Sequence, residues 1–257
     1  MSLRKKFLSI KSIKPKGIVH GFFTRNGGCS KKQFKSLNCS TSNGDSKYFV
    51  NKNKMIAMKN LKLSSNKLIL AKQTHSSKVI RVKKNNQNQI IQADGLITSS
   101  KNIAIAVLTA DCAPIFIFDN NNQFVCCLHS GWRGTLKNIT KNAVKLFNKY
   151  NIKTKNLVAI VGPCLASKNY EVDKSFEKQF LKKNYRYKKF FKSKNKTKSL
   201  FNLRGIINFQ LKELGIKKTF NIKKDTYLNE SLFFSYRRSL HKGHNSSGRL
   251  INIISIT

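Results

Sequence analysis

Residues 103–134 read IAIAVLTADCAPIFIFDNNNQFVCCLHSGWRG. Ile103–Leu108, Ile115–Phe118 and Phe124–Leu128 are short runs of apolar, β-branched and aromatic residues, suited to strands buried on both faces. After Gly134 the period changes. Leu136, Ile139, Ala143, Phe147 and Tyr150 fall at steps of three and four, so Gly134 to Tyr150 reads as an amphipathic helix. Outward from this stretch the same alternation continues. Ile18–Phe23 reads as a strand before a turn at Asn26-Gly27-Gly28, Phe49–Leu61 as a helix, and Leu68–Ala71 and Val79–Val82 as short strands. Asn85–Gln89 is a polar loop, and Leu157–Val161 a strand. Leu203, Ile206, Ile207, Leu211 and Leu214 mark a helix ended by Gly215, and Ile251–Ile256 a last strand. Tyr185–Lys198 reads as a basic, aromatic-bearing, exposed insert. Strands and helices mix throughout without repeats or a long linker, which gives an α/β or α+β domain.

The chain has 257 residues, 40% of them hydrophobic, enough for a sizeable core and against disorder. Its formal charge is +41, from 51 Lys and Arg against 10 Asp and Glu. Such a balance suits a polyanion partner. The basic residues, however, are spread from Arg4 to Arg249, and Lys-Asn runs such as Lys83-Lys84-Asn85-Asn86 point to biased coding composition as much as to selection. The expectation is no specific nucleic-acid partner, only weak binding that fades with salt. Met1–Gly17 lacks a signal-peptide apolar core, and Ile103–Phe118 is too short and polar to span a bilayer. A cytoplasmic protein with no membrane partner is expected, its six cysteines free thiols or ligands. No CxxC pair, GxGxxG or GxxxxGK[ST] occurs, which argues against a zinc finger, a dinucleotide site and a P-loop.

Three runs end in reactive side chains: Leu68–Ala71 leads to His75, Ala104–Leu108 to Asp111-Cys112, and Phe124–Leu128 to His129. Two imidazoles and a thiolate form a borderline-soft set for zinc, and three protein ligands leave a fourth position open. A lone His or Cys at a strand end is more often packed or hydrogen-bonded, and spacing alone is a weak signal. Ser130-Gly131-Trp132-Arg133-Gly134 strengthens it, because a strand-to-helix turn offers free N–H groups and Arg133 an anion clamp; the plain alternative is a turn with a packed Trp. His20 reads as a core residue, and His241 and His244 as members of a polar Gly-rich loop. Cys126 and Cys127 point to opposite faces of a strand, while Cys29, Cys39 and Cys164 are structural. Asp94, Asp111 and Glu171 all lie beside motifs, and any of them could orient a ligand or accept a proton.

The motifs His20-Gly21-Phe22-Phe23-Thr24-Arg25-Asn26-Gly27-Gly28, Gln73-Thr74-His75, Ala93-Asp94-Gly95, Thr109-Ala110-Asp111-Cys112 and His129 to Gly134 carry a resemblance. Gly162-Pro163, Tyr170-Glu171-Val172, Phe233 to Arg238 and Ser247-Gly248-Arg249 follow in order. With these, the chain resembles the YfiH-type laccase-domain family, first called multicopper polyphenol oxidoreductases and later described as purine nucleoside phosphorylases. The resemblance implies a single catalytic domain over residues 17–257, of mixed β-sheets covered by helices in α/β/β/α layers, after a basic segment 1–16. It implies zinc on His75, Cys112 and His129, with copper the lesser alternative. It also implies phosphorolysis of adenosine, inosine and methylthioadenosine, and adenosine deamination. Ser239, an insertion holding His241 and His244, and Ser167 and Lys168 after Gly162-Pro163 depart from the family pattern and bear on substrate preference.

The expected catalytic set is His75, Cys112, His129 and Arg133, with Arg25, Gln73, Asp111 and Arg237 candidates for substrate or phosphate. Arg238 is as readily structural. Partners are a nucleoside and phosphate, the protein being a monomer or homodimer. Two rival enzyme readings stand beside this one. In the first, Cys112 is a nucleophile activated by His129 in an amidase acting on a peptidoglycan precursor. The second, a copper polyphenol oxidase, needs more imidazoles than five histidines supply. A non-enzymatic polyanion binder is the third alternative.

Overall fold

The computed structural model describes residues 5–10, 13, 17–63, 67–86 and 89–257. Two sheets lie face to face. The first has five strands in the order β1 (Phe7–Leu8), β2 (Ile18–Phe23), β14 (Leu250–Ile256), β6 (Ala104–Thr109), β3 (Leu68–Leu70), with only β3 and β6 parallel. The second has six, in the order β13 (Lys218–Asn221), β9 (Leu157–Val161), β7 (Ala113–Asp119), β8 (Val125–Ser130), β5 (Gly95–Thr98), β4 (Val79–Arg81). Its two outermost pairs are parallel and the rest antiparallel. A small sheet of β10 (Glu171–Asp173), β12 (Lys198–Phe201) and β11 (Phe191–Ser193) flanks them.

Period-two alternation explains the layers. Every residue of β7 is buried. Phe116 and Phe118 enter the core between the sheets with Phe22, Ile105 and Val107, whereas Ile115 and Ile117 face the helices on the other side. Cys126 and Cys127 divide in the same way. The helix layer over the six-stranded sheet holds α3 (Ile139–Lys149) and α5 (Leu203–Glu213), which contribute Ala143, Phe147, Ile206 and Leu211. On the far side, α1 (Lys47–Asn60) lays Ala57 and Met58 on Ala104, Ala106, Ile251 and Ile253. The result is the α/β/β/α layering expected. Strand β1 pairs Phe7 and Leu8 with Phe23 and Phe22, so the five-stranded sheet extends into segment 1–16.

Four local expectations are corrected or completed. Gly134–Tyr150 is not one helix: α2 (Trp132–Leu136) stops and α3 restarts, because Asn138 takes a left-handed φ of 56° and its side chain accepts the Lys141 N–H. Asn tolerates that conformation and caps the new helix. Tyr185–Lys198 is not an exposed insert. Tyr187 is buried, Phe190 and Phe191 pack on the core against α4 (Lys174–Lys183) and α5, and the Tyr187 hydroxyl accepts from Gln210. Its lysines reach water while its rings fill the interior. His241 is the last residue of α6 (Tyr236–His241), not a loop residue, and its Nδ1 lies 2.9 Å from the Tyr227 hydroxyl. The Asn85–Gln89 loop begins within a short 3-10 turn, Lys84–Asn86, and its positions 87–88 lie outside the described residues.

His20 is a core residue, 7% exposed between the sheets, edge-on to Phe22 and Phe116, and its Nε2 has no hydrogen-bond partner. Burial lowers its pKa from 6.5 to about 4. The unfolded chain therefore protonates first on acidification, and stability falls as pH drops through 6.5 toward 4. Urea unfolding from pH 7 to 4 is expected to show a loss of about 3 kcal/mol from this group, absent in His20→Phe. Parallel pH profiles for the two proteins would exonerate the imidazole.

Candidate metal centre

The chain passes from the five-stranded to the six-stranded sheet twice at one end of the sandwich. The segment after β3 leads to β4, and Ala110-Asp111-Cys112 joins β6 to β7. Because β3 and β6 run parallel, both crossings leave from the same end. Strand β8 finishes there too, His129 standing opposite Pro114 at the start of β7. The fold thereby brings His75, Cys112 and His129 together, with a ligand atom from each within 4.8 Å of the others. His129 is buried, Cys112 half-buried and His75 exposed, so the cluster opens to solvent on one side.

The crossings are sharp. His75 and Asp111 both have left-handed backbones, at φ 57° and 85°. Such conformations cost a non-glycine residue about 1 kcal/mol or more and persist only where neighbours hold them. For Asp111 the neighbours are Thr226, whose hydroxyl donates to Oδ1 at 2.6 Å, and the Arg237 amide, which donates to Oδ2 at 2.7 Å. For His75 the neighbour is Asp94. This carboxylate, fully buried, accepts the backbone N–H groups of Thr74, His75 and Ser76 at 3.1, 3.0 and 2.6 Å. It also takes the Ser76 hydroxyl at 2.7 Å and His129 Nδ1 at 2.8 Å. Held ionised, the Asp94 carboxylate can only accept, so Nδ1 of His129 carries the proton and Nε2 is the nitrogen left for the cluster.

The donor set fits a tetrahedral ion with one position open, and the surrounding space fits as well. A Cβ on Gly131 would sit 2.8 Å from Cys112 Sγ and 3.3 Å from His75 Cδ2, so only glycine leaves the cluster its room. Electrostatics favour ionised ligands. Burial alone would raise the Cys112 thiol, but His129 and His75 outweigh it and bring it down to about 6. Burial would lower His129, yet Cys112 and Asp94 lift it to about 9. Asp94 is likewise pushed up by burial and held well below the carboxylate range by His129 and Ser76. In the metal-free protein Cys112 and His129 therefore form a thiolate–imidazolium pair.

The other expected residues are placed as follows. Gln73 spends both amide atoms on the Leu108 backbone, accepting its N–H at 2.7 Å and donating to its carbonyl at 2.8 Å. Arg133 is exposed, its guanidinium 4.3 Å over the Trp132 ring. Arg25 stacks 4.3 Å over Phe234 and lines a separate cavity of about 230 Å³ with Lys35, Arg238 and Lys242. Arg237 is half-buried beside Tyr170, with Nη2 donating to the Glu171 carbonyl. Glu171 pairs with Lys194, so of the three acidic candidates only Asp94 contacts a cluster residue's side chain. Ser76 is not marked by any motif in the sequence, and the hydroxyl-rich run Thr74-His75-Ser76-Ser77 is its one signal there. Arg249 stands in the Ser247-Gly248-Arg249 motif, where the sequence carries no separate signal of its surroundings.

Known proteins are similar to this chain over most of its length. A family model described as multi-copper polyphenol oxidoreductase laccase matches residues 19–257. A Rickettsia prowazekii protein named purine nucleoside phosphorylase is 36% identical over 176 residues, 68% of this chain and 72% of its own. A Haemophilus influenzae protein of the same name is 31% identical over 239 residues, covering 92% and 93%. The crystal structure of a Neisseria meningitidis protein superposes with TM-score 0.88 at 26% identity, over 98% of this chain and 99% of that one. Among the described residues no helix is long and apolar enough to cross a membrane.

Asp94→Asn is expected to weaken metal binding about 10–100-fold, measured by chelator competition, because the His129 tautomer and the His75 loop lose their anchor. Unchanged affinity would remove Asp94 from the centre. Metal-free protein should alkylate at Cys112 with a pH midpoint of about 6, followed by peptide mass spectrometry, since the thiolate is the nucleophile. A midpoint in the ordinary thiol range would contradict the thiolate–imidazolium pair.

Proposed function

The chain belongs to the laccase-domain family of multi-copper polyphenol oxidoreductase description, and from that premise we propose that it is a zinc-dependent purine nucleoside phosphorylase with adenosine deaminase activity. The relatives named purine nucleoside phosphorylase support the reaction. The observation that carries the site is the convergence of His75, Cys112 and His129 around a space kept open by Gly131. Substrates would be adenosine, inosine or methylthioadenosine with phosphate. In phosphorolysis a phosphate oxygen bonds to ribose C1′ as the C1′–N9 bond breaks, and the electron pair leaves with the purine. In deamination a water oxygen adds at C6 of adenine and ammonia departs.

Zinc held by His75, Cys112 and His129 would supply Lewis acidity at the open position. The chain's own residues do the rest. Asp94 fixes the His129 ring and the His75 loop, so neither ligand reorients during turnover. Arg237, half-buried and carrying its amide on Asp111, supplies positive charge for phosphate, whereas Arg133 stands at the exposed rim, stacked on Trp132. Gln73 and Asp111, whose polar atoms are engaged by protein groups, position the two crossings. Arg25 lies in the neighbouring cavity and meets anions there. The six cysteines are all unpaired, which supports a cytoplasmic setting.

The thiolate–imidazolium pair of the metal-free protein favours one rival, a cysteine amidase using Cys112 and His129. The copper-oxidase reading has less support. His75, Cys112 and His129 are the one such ligand group among the described residues, whereas a multicopper site needs a second cluster of imidazoles.

Incubation with adenosine and phosphate should yield adenine, ribose 1-phosphate and inosine, with stoichiometric zinc in the protein. Cys112→Ala is expected to lower turnover by about 100-fold or more. Equal turnover by the two proteins would sink the assignment, and activity that survives chelation but not alkylation would select the amidase.

A further inference from the structure

Near the metal cluster two arginines, Arg249 and Arg237, make no direct ion pair among the described residues. Arg249 immediately precedes β14, whose Leu250 pairs with Thr109, so it lies alongside Ala110-Asp111 at the crossing that carries Cys112. Its backbone is clamped on both sides. The amide donates to Asn38 Oδ1 at 2.8 Å, and the carbonyl accepts the Cys39 N–H at 3.1 Å. Asn38 is fully buried and its Nδ2 is tied to Asp45 and to the Ser40 carbonyl. Gly248 is forced to be glycine, because a Cβ there would meet the Phe234 ring at 2.6 Å. The Arg249 guanidinium, half-buried, touches only the Ser247 and Gly248 carbonyls through Nη1 and lies 5.7 Å from the Tyr236 ring.

Arg237 is the second neighbour of Asp111. Its amide holds that carboxylate, while its guanidinium reaches the Glu171 carbonyl and the Tyr170 ring. Among the described residues neither arginine forms an ion pair, although Arg186 and Arg238 do. Asp111 is one carboxylate beside two guanidinium groups, and its side-chain hydrogen bonds go to the Thr226 hydroxyl and the Arg237 amide, not to either guanidinium. Burial is the main influence on Arg249 and lowers its pKa, while the charges of Cys112 and Asp111 act in the opposite sense, which sets the guanidinium within electrostatic reach of the cluster. Desolvating a guanidinium without a partner is costly unless a ligand provides one.

We propose that Arg249 and Arg237 form a two-sided oxyanion clamp next to the metal centre, that its ligand is inorganic phosphate, and that Asn38 is a positioning residue acting through the Arg249 amide. The clamp rests on the phosphorolysis reading for the choice of ligand, but not for its existence. It also moves the phosphate away from the start of α2, a five-residue helix whose Arg133 is exposed and already stacked on Trp132. Planar guanidinium forks approaching a tetrahedral oxyanion from two sides suit bidentate contacts.

Calorimetric titration of inorganic phosphate into the zinc-loaded protein tests this directly. Arg249→Gln and Arg237→Gln should each weaken phosphate by about tenfold or more, with inosine affinity unchanged, whereas Arg133→Gln should stay within about twofold. Asn38→Ala should show a smaller loss of the same kind, and Arg249→Lys, which keeps the charge but not the fork, an intermediate one. If Arg249→Gln does not fold, Arg249→Lys with its thermal unfolding profile carries the test alone. Phosphate affinity indifferent to Arg249, or lost equally in Arg133→Gln, overturns the clamp. Saturation by acetate but not phosphate overturns the ligand. Arg249-dependent phosphate binding in a protein that cleaves no purine nucleoside overturns the activity reading and leaves the clamp standing.

Discussion

A single buried carboxylate organises the functional end of this molecule. Asp94 accepts hydrogen bonds from three consecutive amides, a serine hydroxyl and an imidazole, and has no exposed surface. A buried charge is strongly unfavourable unless its lone pairs are met, and here they are met by groups that would otherwise be free to move. The interaction works in both directions. The donors stabilise the anion, and the anion holds the left-handed turn at His75 and selects the tautomer of His129. Removing it would leave the His75 loop with three unsatisfied amides and no reason to keep its conformation.

The sandwich explains why such an anchor is needed at that place. Two chain crossings between sheets, starting from parallel strands, put their turns side by side, and β8 delivers a third residue between them. Turns that change sheets within a few residues demand strained backbone, and the strain is localised at His75 and Asp111. Each is held by a carboxylate: the His75 turn donates its amides to Asp94, and the Asp111 side chain accepts from Thr226 and the Arg237 amide. The site is therefore as rigid as the two sheets that frame it, a requirement for ligands drawn from three separate segments.

Much of this was legible in the residues. Runs such as Ala104–Leu108 and Ile115–Phe118 announce strands buried on both faces, and Cys126 and Cys127 divide between faces as alternation requires. The ligands could be named because each ends such a run and because the flanking motifs are specific. What could not be read depends on angles rather than on periodicity. Asp94, Asp111 and Glu171 look equivalent beside their motifs, and only the antiparallel pairing of β5 with β8, Gly95 opposite Leu128, sets Asp94 beside His129. The break at Asn138 hides within a pattern that both helices satisfy. The Tyr185–Lys198 segment misleads because its lysines and rings alternate in purpose, and composition registers the charge before the packing. Arg249 draws its importance from the strand pairing that sets it beside Asp111, more than a hundred residues earlier in the chain.

The scarcity of acidic residues has a consequence for the exterior. Of the 10 carboxylate side chains, Asp94, Asp111, Asp119 and Asp225 are buried and work inside the fold. Glu171, Asp173, Glu177, Glu213 and Glu230 are each paired with a lysine or arginine, and the tenth, Asp45, is half-buried and accepts from Ser30 and Asn38. The remaining surface behaves as an anion-exchange bead: it gathers a mobile sheath of small counter-anions about itself and sheds the attraction as ionic strength rises.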